Sequence, residues 1–427
     1  MDEHLILQQL AAAERMLQSG QLQEAHVLLK RLHKANPKHT DTMMQLAFAE
    51  RLLKHWPEAI ALLRKACALA PTNRVYPQQL AVVLLFSNEG RNTVQAIHLF
   101  AEAFKHQPDF YANGANMLVF ALRNDLPGTI LETLAPTLES GHSDAVRLHY
   151  ACACAMAAWL LDDPRCGEFI TMALAVRHAA FDADGKPLPD DLYFMLIYAE
   201  LLRDLLAFRA RHPALYIQAT TGEFHVIGES HGLTPAHLTL TGDGRALRVV
   251  PHLIMGALAY MFTVDTPRTW QYALEEIIRK LPKDTPIVVV FGELDCRPTE
   301  GIMNQYRKDV AGYALEAEID ALCERYVRFV KRAQLKRLGR CYIAGVPAPK
   351  RFVMADLQEG EAPIFTRIIR HFNAALTREA AKQELGFIDL YAATAGDDGW
   401  AKEGVHLDHV HLRPDIVAAA ITAAFGT

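Results

Sequence analysis

The stretch EFHVIGESHGL, residues 223–233, is where the chain changes character. Its first half is a short apolar run ending at Gly228, as a buried strand requires. Its second half, Gly228-Glu229-Ser230-His231-Gly232, satisfies G-x-S-x-G, a pattern that sets a serine on the sharp turn after a strand. Upstream, the pattern is helical. Downstream, the runs PIVVVFGELD (286–295), GRCYIAGVPAP (339–349) and GFIDLY (386–391) alternate with helical stretches at 269–281, 312–338 and 363–385. Apolar strands alternating with helices predict a parallel sheet in a three-layer α/β/α domain. Reactive groups in such a sheet gather at the carboxyl ends of strands. That edge would hold Ser230, FGELD and the loop after GFIDLY.

The upstream region has an internal period. Pro37 closes EAHVLLKRLHKANP and Pro71 closes EAIALLRKACALAP, 34 residues apart, and Pro108 closes QAIHLFAEAFKHQP three residues late. In each copy an alanine (Ala25, Ala59, Ala96) stands twelve positions before the proline, where two helices must approach closely. The proline ends the second helix. This resembles the tetratricopeptide repeat, a helix-turn-helix whose copies stack into a superhelix. The period fades after Tyr111, but helical patterning continues to Ala210, with 181–191 as a loop. The expected organisation is a tetratricopeptide-like helical array over 1–210 and an α/β domain over 218–427.

Composition narrows the class. With 427 residues, 51% hydrophobic and 22% charged, the chain is an ordinary folded protein large enough for two domains. A net charge of -5 leaves no basic footprint for nucleic acid. The first residues are acidic where a signal peptide is basic, and no apolar stretch reaches membrane-span length, so a soluble, cytoplasmic protein is expected. The seven cysteines (67, 152, 154, 166, 296, 323, 341) include no C-x-x-C pair and read as reduced structural residues.

The candidate partners of Ser230 lie near the end of the chain, in GVHLDHVHLRPD, residues 404–415. A serine hydroxyl needs an imidazole to accept its proton, and that imidazole needs a carboxylate to fix its tautomer. Asp408 and His411, three residues apart, can face one cleft from a tight turn, and Pro414 suits the first turn of a following helix. A serine directly after the first strand, with a late D-x-x-H-L block (408–412), resembles the SGNH/GDSL hydrolase superfamily over about residues 222–427. The α/β-hydrolase alternative would place several strands before the serine. The superfamily resemblance implies Ser230 as nucleophile, His411 as general base and Asp408 as its orienter. It also implies an oxyanion hole from the Ser230 N–H, Gly256 and Gly292, with Glu229 in place of the superfamily's aspartate. Leu294 stands where the superfamily carries a donating asparagine, a loss that can cost about 10²–10³ in rate. Glu229, His231, Glu293, Asp295, Arg297 and His409 are candidate substrate contacts, with an Asp295–Arg297 ion pair bracing the turn as the structural alternative. His406 and His409 can equally be pocket walls.

No metal or cofactor is expected. His406-x-Asp408-His409-x-His411 fits no ligand spacing, and neither H-E-x-x-H nor a phosphate-cradling glycine loop occurs. Asp243 and Asp397-Asp398 read as turn residues. The expected function is serine-dependent acyl hydrolysis or O-acyl transfer on a small acyl ester of a carbohydrate or similar polyol. The array would bind a protein partner or present substrate. The alternative is a repeat scaffold whose α/β domain is catalytically weak.

Overall fold

The structure, a computed structural model, describes all residues except 1–2, 88–89, 107–110, 140, 189–190, 217–218, 243, 265–268, 311 and 426–427. Pro108, Asp243 and part of the 181–191 loop lie outside the described residues. The chain divides into two compact units, Met1–Ala121 and Leu122–Thr427.

The first unit is a run of helices: α1 (Glu3–Gln18), α2 (Leu22–Ala35), α3 (Thr40–Leu52), α4 (Trp56–Leu69), α5 (Val75–Phe86) and α6 (Gly90–His106), with α7 (Tyr111–Arg123) crossing the junction. Consecutive helices pair. The three close-approach alanines, on α2, α4 and α6, have no exposed surface at all. Pro37 and Pro71 fall just after the ends of α2 and α4, where a missing N–H and a fixed φ halt a helix. Ile6 and Leu10 of α1, Leu29 and Leu32 of α2 and Leu46 of α3 form one apolar core.

The second unit begins with four helices: α8 (Pro127–Leu134), α9 (Asp144–Leu160), α10 (Cys166–Ala175) and α11 (Asp191–Arg211). These are the helices that the sequence reading assigned to an array ending at residue 210, and they instead belong with the α/β region. The reason is their burial. Every residue of α9 from Leu148 to Leu160 is buried, as expected of a helix apolar on all sides and enclosed by structure. Trp159 Nε1 donates to the Leu233 carbonyl (3.2 Å), the His237 ring bonds the Trp159 carbonyl (2.6 Å), and Arg248 pairs with Asp162. Farther up the chain, Asp125 bonds the His252 ring (2.6 Å) and accepts the Leu253 N–H (3.2 Å).

A six-stranded sheet follows, ordered β2-β3-β1-β4-β5-β6. Its strands are β1 (Gly222–Gly228), β2 (Thr239–Gly242), β3 (Arg245–Leu253), β4 (Ile287–Val290), β5 (Cys341–Ala344) and β6 (Gly386–Ile388). All neighbours are parallel except β2 and β3, so the sheet is mixed rather than wholly parallel. The β2–β3 hairpin escapes a search for continuous apolar runs because β3 is buried only at alternate positions.

The helices between and after these strands are α12 (Thr269–Lys280), α13 (Gly301–Lys308), α14 (Leu315–Gln334), α15 (Ala362–Lys382), α16 (Leu390–Thr394) and α17 (Pro414–Phe425). Ile227, Val289 and Ile343 pack against residues of α12, α14 and α15. Their neighbours Val226, Val288 and Tyr342 point the other way, toward Phe208 of α11 and Val417, Ile421 and Phe425 of α17. Alternation along each strand thus supplies two apolar cores. The carboxyl ends of β3, β1 and β4 are brought side by side, with Gly228 in register with Leu253 and Val290.

Candidate functional site at the strand ends

Close approach of backbones explains the first glycine of the motif. A Cβ on Gly228 would lie 2.8 Å from the Val290 carbonyl oxygen. The strand then stops at Glu229, and Ser230 opens a 3-10 turn, Ser230–Leu233. Ser230 is 6% exposed and Glu229 1%. Ser230 Oγ donates to Glu229 Oε2 at 2.6 Å. Glu229 Oε1 is buried and has no hydrogen-bond partner. The Tyr198 phenol, carried in by α11, is buried near Glu229 and Ser230, and its burial raises its pKa.

The late block folds into a closed loop. Leu407 N–H donates to the His411 carbonyl (2.8 Å), and an isolated bridge joins His406 to Leu412. Asp408 holds the loop from inside. Its Oδ1 accepts the N–H groups of Val410 (2.7 Å) and His411 (2.6 Å), and its Oδ2 bonds the Nδ1 of the His411 ring at 2.7 Å. Burial opposes the Asp408 charge, but the His411 ring and the two backbone donors outweigh it and hold the carboxyl below the usual carboxylate range. The pair predicted between Asp408 and His411 is therefore present, and α17 does begin at Pro414. The expected bond from Ser230 to His411 is not formed. His411 Nε2 is buried with no hydrogen-bond partner, and the His411 ring lies 4.9 Å, centroid to centroid, from the ring of His231.

After β4 the chain places Gly292 at φ +123°, with a would-be Cβ only 2.6 Å from Phe372, so glycine is required there. Gly256, in the turn after β3, also has positive φ (+69°). The three expected oxyanion-hole positions, Ser230, Gly256 and Gly292, thus follow the ends of three adjacent parallel strands. Leu294, half-buried, opens the 3-10 turn Leu294–Cys296.

The charges here pair differently from the expected Asp295–Arg297 bridge. Asp295 is buried and spends both oxygens on backbone, accepting from Ala259 (2.7 Å) and Tyr260 (3.0 Å). It therefore braces the turn beyond Gly256. Burial lifts its pKa to about 6, against the pull of those two donors. Arg297 instead clasps Glu293, with Nε 3.0 and 2.9 Å from its two oxygens and Nη2 2.8 Å from Oε2. Burial opposes the Glu293 charge, but Arg297 and His231 overcome it and lower its pKa. His231 is 6% exposed, and its Nε2 lies 3.5 Å from Glu293 Oε2. Burial alone would lower the His231 pKa, yet Glu229 and Glu293 together raise it.

Glu293 and Arg297 also face a cavity of about 190 Å³, lined further by Val346–Lys350, Phe352, His406 and His409. Burial lowers the His406 pKa to about 4, so this pocket wall is a neutral imidazole. His409 is exposed and stacks on Phe352, centroids 4.1 Å apart and planes 11° from parallel. Lys350 Nζ donates to the Asp408 carbonyl (3.1 Å). Sequence reasoning missed Tyr198, Lys350 and Phe352. None belongs to a motif, and Tyr198 sits in a helix read as part of the array.

Comparison with known proteins bears on the helical part. A tetratricopeptide-repeat family matches residues 16–82, and the N-terminal region is made of such repeats. No curated protein sequence matches the chain. Among solved structures, an O-GlcNAc transferase mutant from Thermobaculum terrenum aligns at 13% identity over 80% of this chain and 54% of its own, with a TM-score of 0.27. The chain thus spans little more than half of that protein. A provisionally assigned platelet activating factor from Streptococcus pneumonia aligns at 16% identity over 55% of this chain and 98% of its own, TM-score 0.31. Naa15/Naa10 bound to HypK-THB aligns at 12% identity over 88% of this chain and 62% of its own, TM-score 0.33. Among the described residues, no helix is long and apolar enough to cross a membrane.

Proposed function

We propose that the protein is a tetratricopeptide-repeat interaction protein whose array recruits a protein partner. The repeats at 16–82 carry this reading. The array also offers a place for a partner: a cavity of about 660 Å³ lined by residues including Met44, Phe48, Arg51, Leu52 and Val75. Phe48, Leu52 and Val75 are exposed, and the Arg51 guanidinium sits 4.6 Å from the Phe48 ring centroid. Exposed apolar side chains gathered around a concavity mark a binding surface. Cross-linking of the full chain in cell extract tests the reading. Partner cross-links should map to α1–α6 and disappear in Phe48→Glu. Links confined to residues 122–427 would reject it.

A second reading concerns the α/β unit, as a serine-dependent hydrolase or O-acyltransferase for small acyl esters of a carbohydrate or similar polyol. The observation favouring it is the Asp408–His411 pair, with His411 Nε2 unbonded beside the strand end that carries Ser230. In this reading Ser230 Oγ attacks the ester carbonyl, His411 takes the proton and returns it to the leaving alcohol, and Gly256 and Gly292 supply oxyanion donors. The 190 Å³ cavity suits a small acyl or sugar group. The buried Ser230, its bond to Glu229 and Leu294 at the asparagine position favour a catalytically weak unit instead. A fluorophosphonate probe decides between them: equal labelling of wild type and Ser230→Ala removes the catalytic reading.

A further inference from the structure

We propose that Glu229, His231 and Glu293 form a binding site for one divalent metal ion of the zinc class, with their imidazole and carboxylate groups as three protein ligands. One ligand atom from each lies within 4.8 Å of the others. Two buried atoms there have no hydrogen-bond partner: Glu229 Oε1, and His231 Nε2, which lies within ion-pair range of Glu293. A buried polar atom without a partner is costly, and few survive in a folded protein without a ligand, water or strain to account for them.

The spacing is also compatible with a metal between the ligands. Imidazole–carboxylate separations elsewhere in this protein run from His252–Asp125 at 2.6 Å and His411–Asp408 at 2.7 Å up to His225–Glu223 at 3.3 Å and His39–Glu3 at 3.4 Å. His231 Nε2 stays 3.5 Å from Glu293 Oε2. Zinc bonds of about 2.0–2.1 Å in a tetrahedron put neighbouring ligand atoms about 3.4 Å apart, which is the gap seen here. The surroundings also hold the ligands in place. Arg297 fixes the Glu293 carboxylate and Ser230 fixes the second oxygen of Glu229, the kind of outer support that orients metal ligands. A route in exists, because Glu293 lines the 190 Å³ cavity.

A second His-Glu-His group, His26, Glu50 and His55, serves as the control. There both imidazoles are satisfied by Glu50, at 2.9 and 2.8 Å. The proposal stands apart from any chemistry at Ser230, so labelling of the serine neither supports nor weakens it.

The test is calorimetric titration of the chelator-treated full chain with Zn²⁺ alone. Wild type should bind one equivalent that is weakened by at least about 100-fold in His231→Ala and in Glu293→Gln, since loss of outer support alone typically costs 10–100-fold. His26→Ala/His55→Ala should bind as wild type does. No uptake by wild type, or uptake undiminished in His231→Ala, overturns the proposal. Anomalous diffraction at the zinc edge from wild-type crystals gives a reading that needs no variant. A peak about 2.0–2.1 Å from His231 Nε2 supports the site, and a peak elsewhere or none rejects it.

Discussion

Replacing Gly228 by alanine tests the geometry on which the whole strand-end site depends. The new methyl carbon would meet the Val290 carbonyl oxygen at 2.8 Å and Val290 Cβ at 3.1 Å. Both atoms belong to the strand paired with Gly228, so no rotamer change relieves the clash, and β1 must move away from β4. Overpacking of this kind costs about 1–3 kcal/mol, and a backbone obstacle puts Gly228→Ala toward the upper end. The companion change at the other glycine of the motif is Gly232→Ala. Its Cβ would meet only Val226 Cγ1 at 3.7 Å, an ordinary contact. With no positive φ to disfavour it, that substitution should be neutral or stabilise by about 0.4–1 kcal/mol through the unfolded chain. The two variants should therefore differ by about 2–4 kcal/mol in urea unfolding followed by circular dichroism. Equal stabilities, or a less stable Gly232→Ala, would refute the packing argument for the first glycine.

Other outcomes follow from the same contacts. Trp159→Phe leaves the Leu233 carbonyl without its donor and should cost about 1–3 kcal/mol in urea unfolding. Because α9 and α11 pack on the sheet, a fragment spanning 122–427 should give a cooperative unfolding transition, whereas one spanning 219–427 should not. His237, pushed down to about 4 by burial, contributes stability that is fully present above its unfolded value of 6.5 and is lost as pH falls toward 4. Its share of the slope is about 1.4 kcal/mol per pH unit, and His237→Gln should flatten unfolding curves recorded across that window. In the serine-hydrolase reading, Asp408→Asn should slow fluorophosphonate labelling of Ser230 by about 10⁴, the cost of the same change in a well-studied serine triad.

The parts of the fold visible in the sequence are those with a local physical cause. Pro37 and Pro71 stop helices by what they lack, and Ala25 and Ala59 permit close approach by being small, so a period of 34 survives as a pattern. The buried runs before Gly228 and through Ile287–Val290 are legible because strands covered on both faces are continuously apolar. The domain boundary was not legible. α9 and α11 carry the same helical periodicity whether they continue the array or cover the sheet. Only three-dimensional contacts such as Trp159 to Leu233 assign them. The β2–β3 hairpin was hidden for the opposite reason, since its alternate burial offers no apolar run to notice.

The candidate site divides along the same line. Asp408 and His411 could be paired from sequence because three residues in a tight turn leave little conformational choice. Arg297 and Asp295 could not, since the bridge expected between them competes with partners far along the chain. Asp295 finds two backbone donors 35 and 36 residues away, while Arg297 turns back one helical turn to Glu293. Glu229 could not be placed from sequence either. Its side chain brings a carboxylate oxygen back onto the hydroxyl of the very next residue, so Ser230's proton points to Glu229, while His411 Nε2 is unbonded. In the serine-hydrolase reading, activation by His411 would require the Ser230 hydroxyl to rotate off Glu229, and a Glu229→Gln variant, whose amide is a weaker acceptor than a carboxylate, should make that rotation easier. Faster fluorophosphonate labelling in Glu229→Gln than in wild type would identify Glu229 as a brake on the serine; slower labelling would make the carboxylate part of its activation.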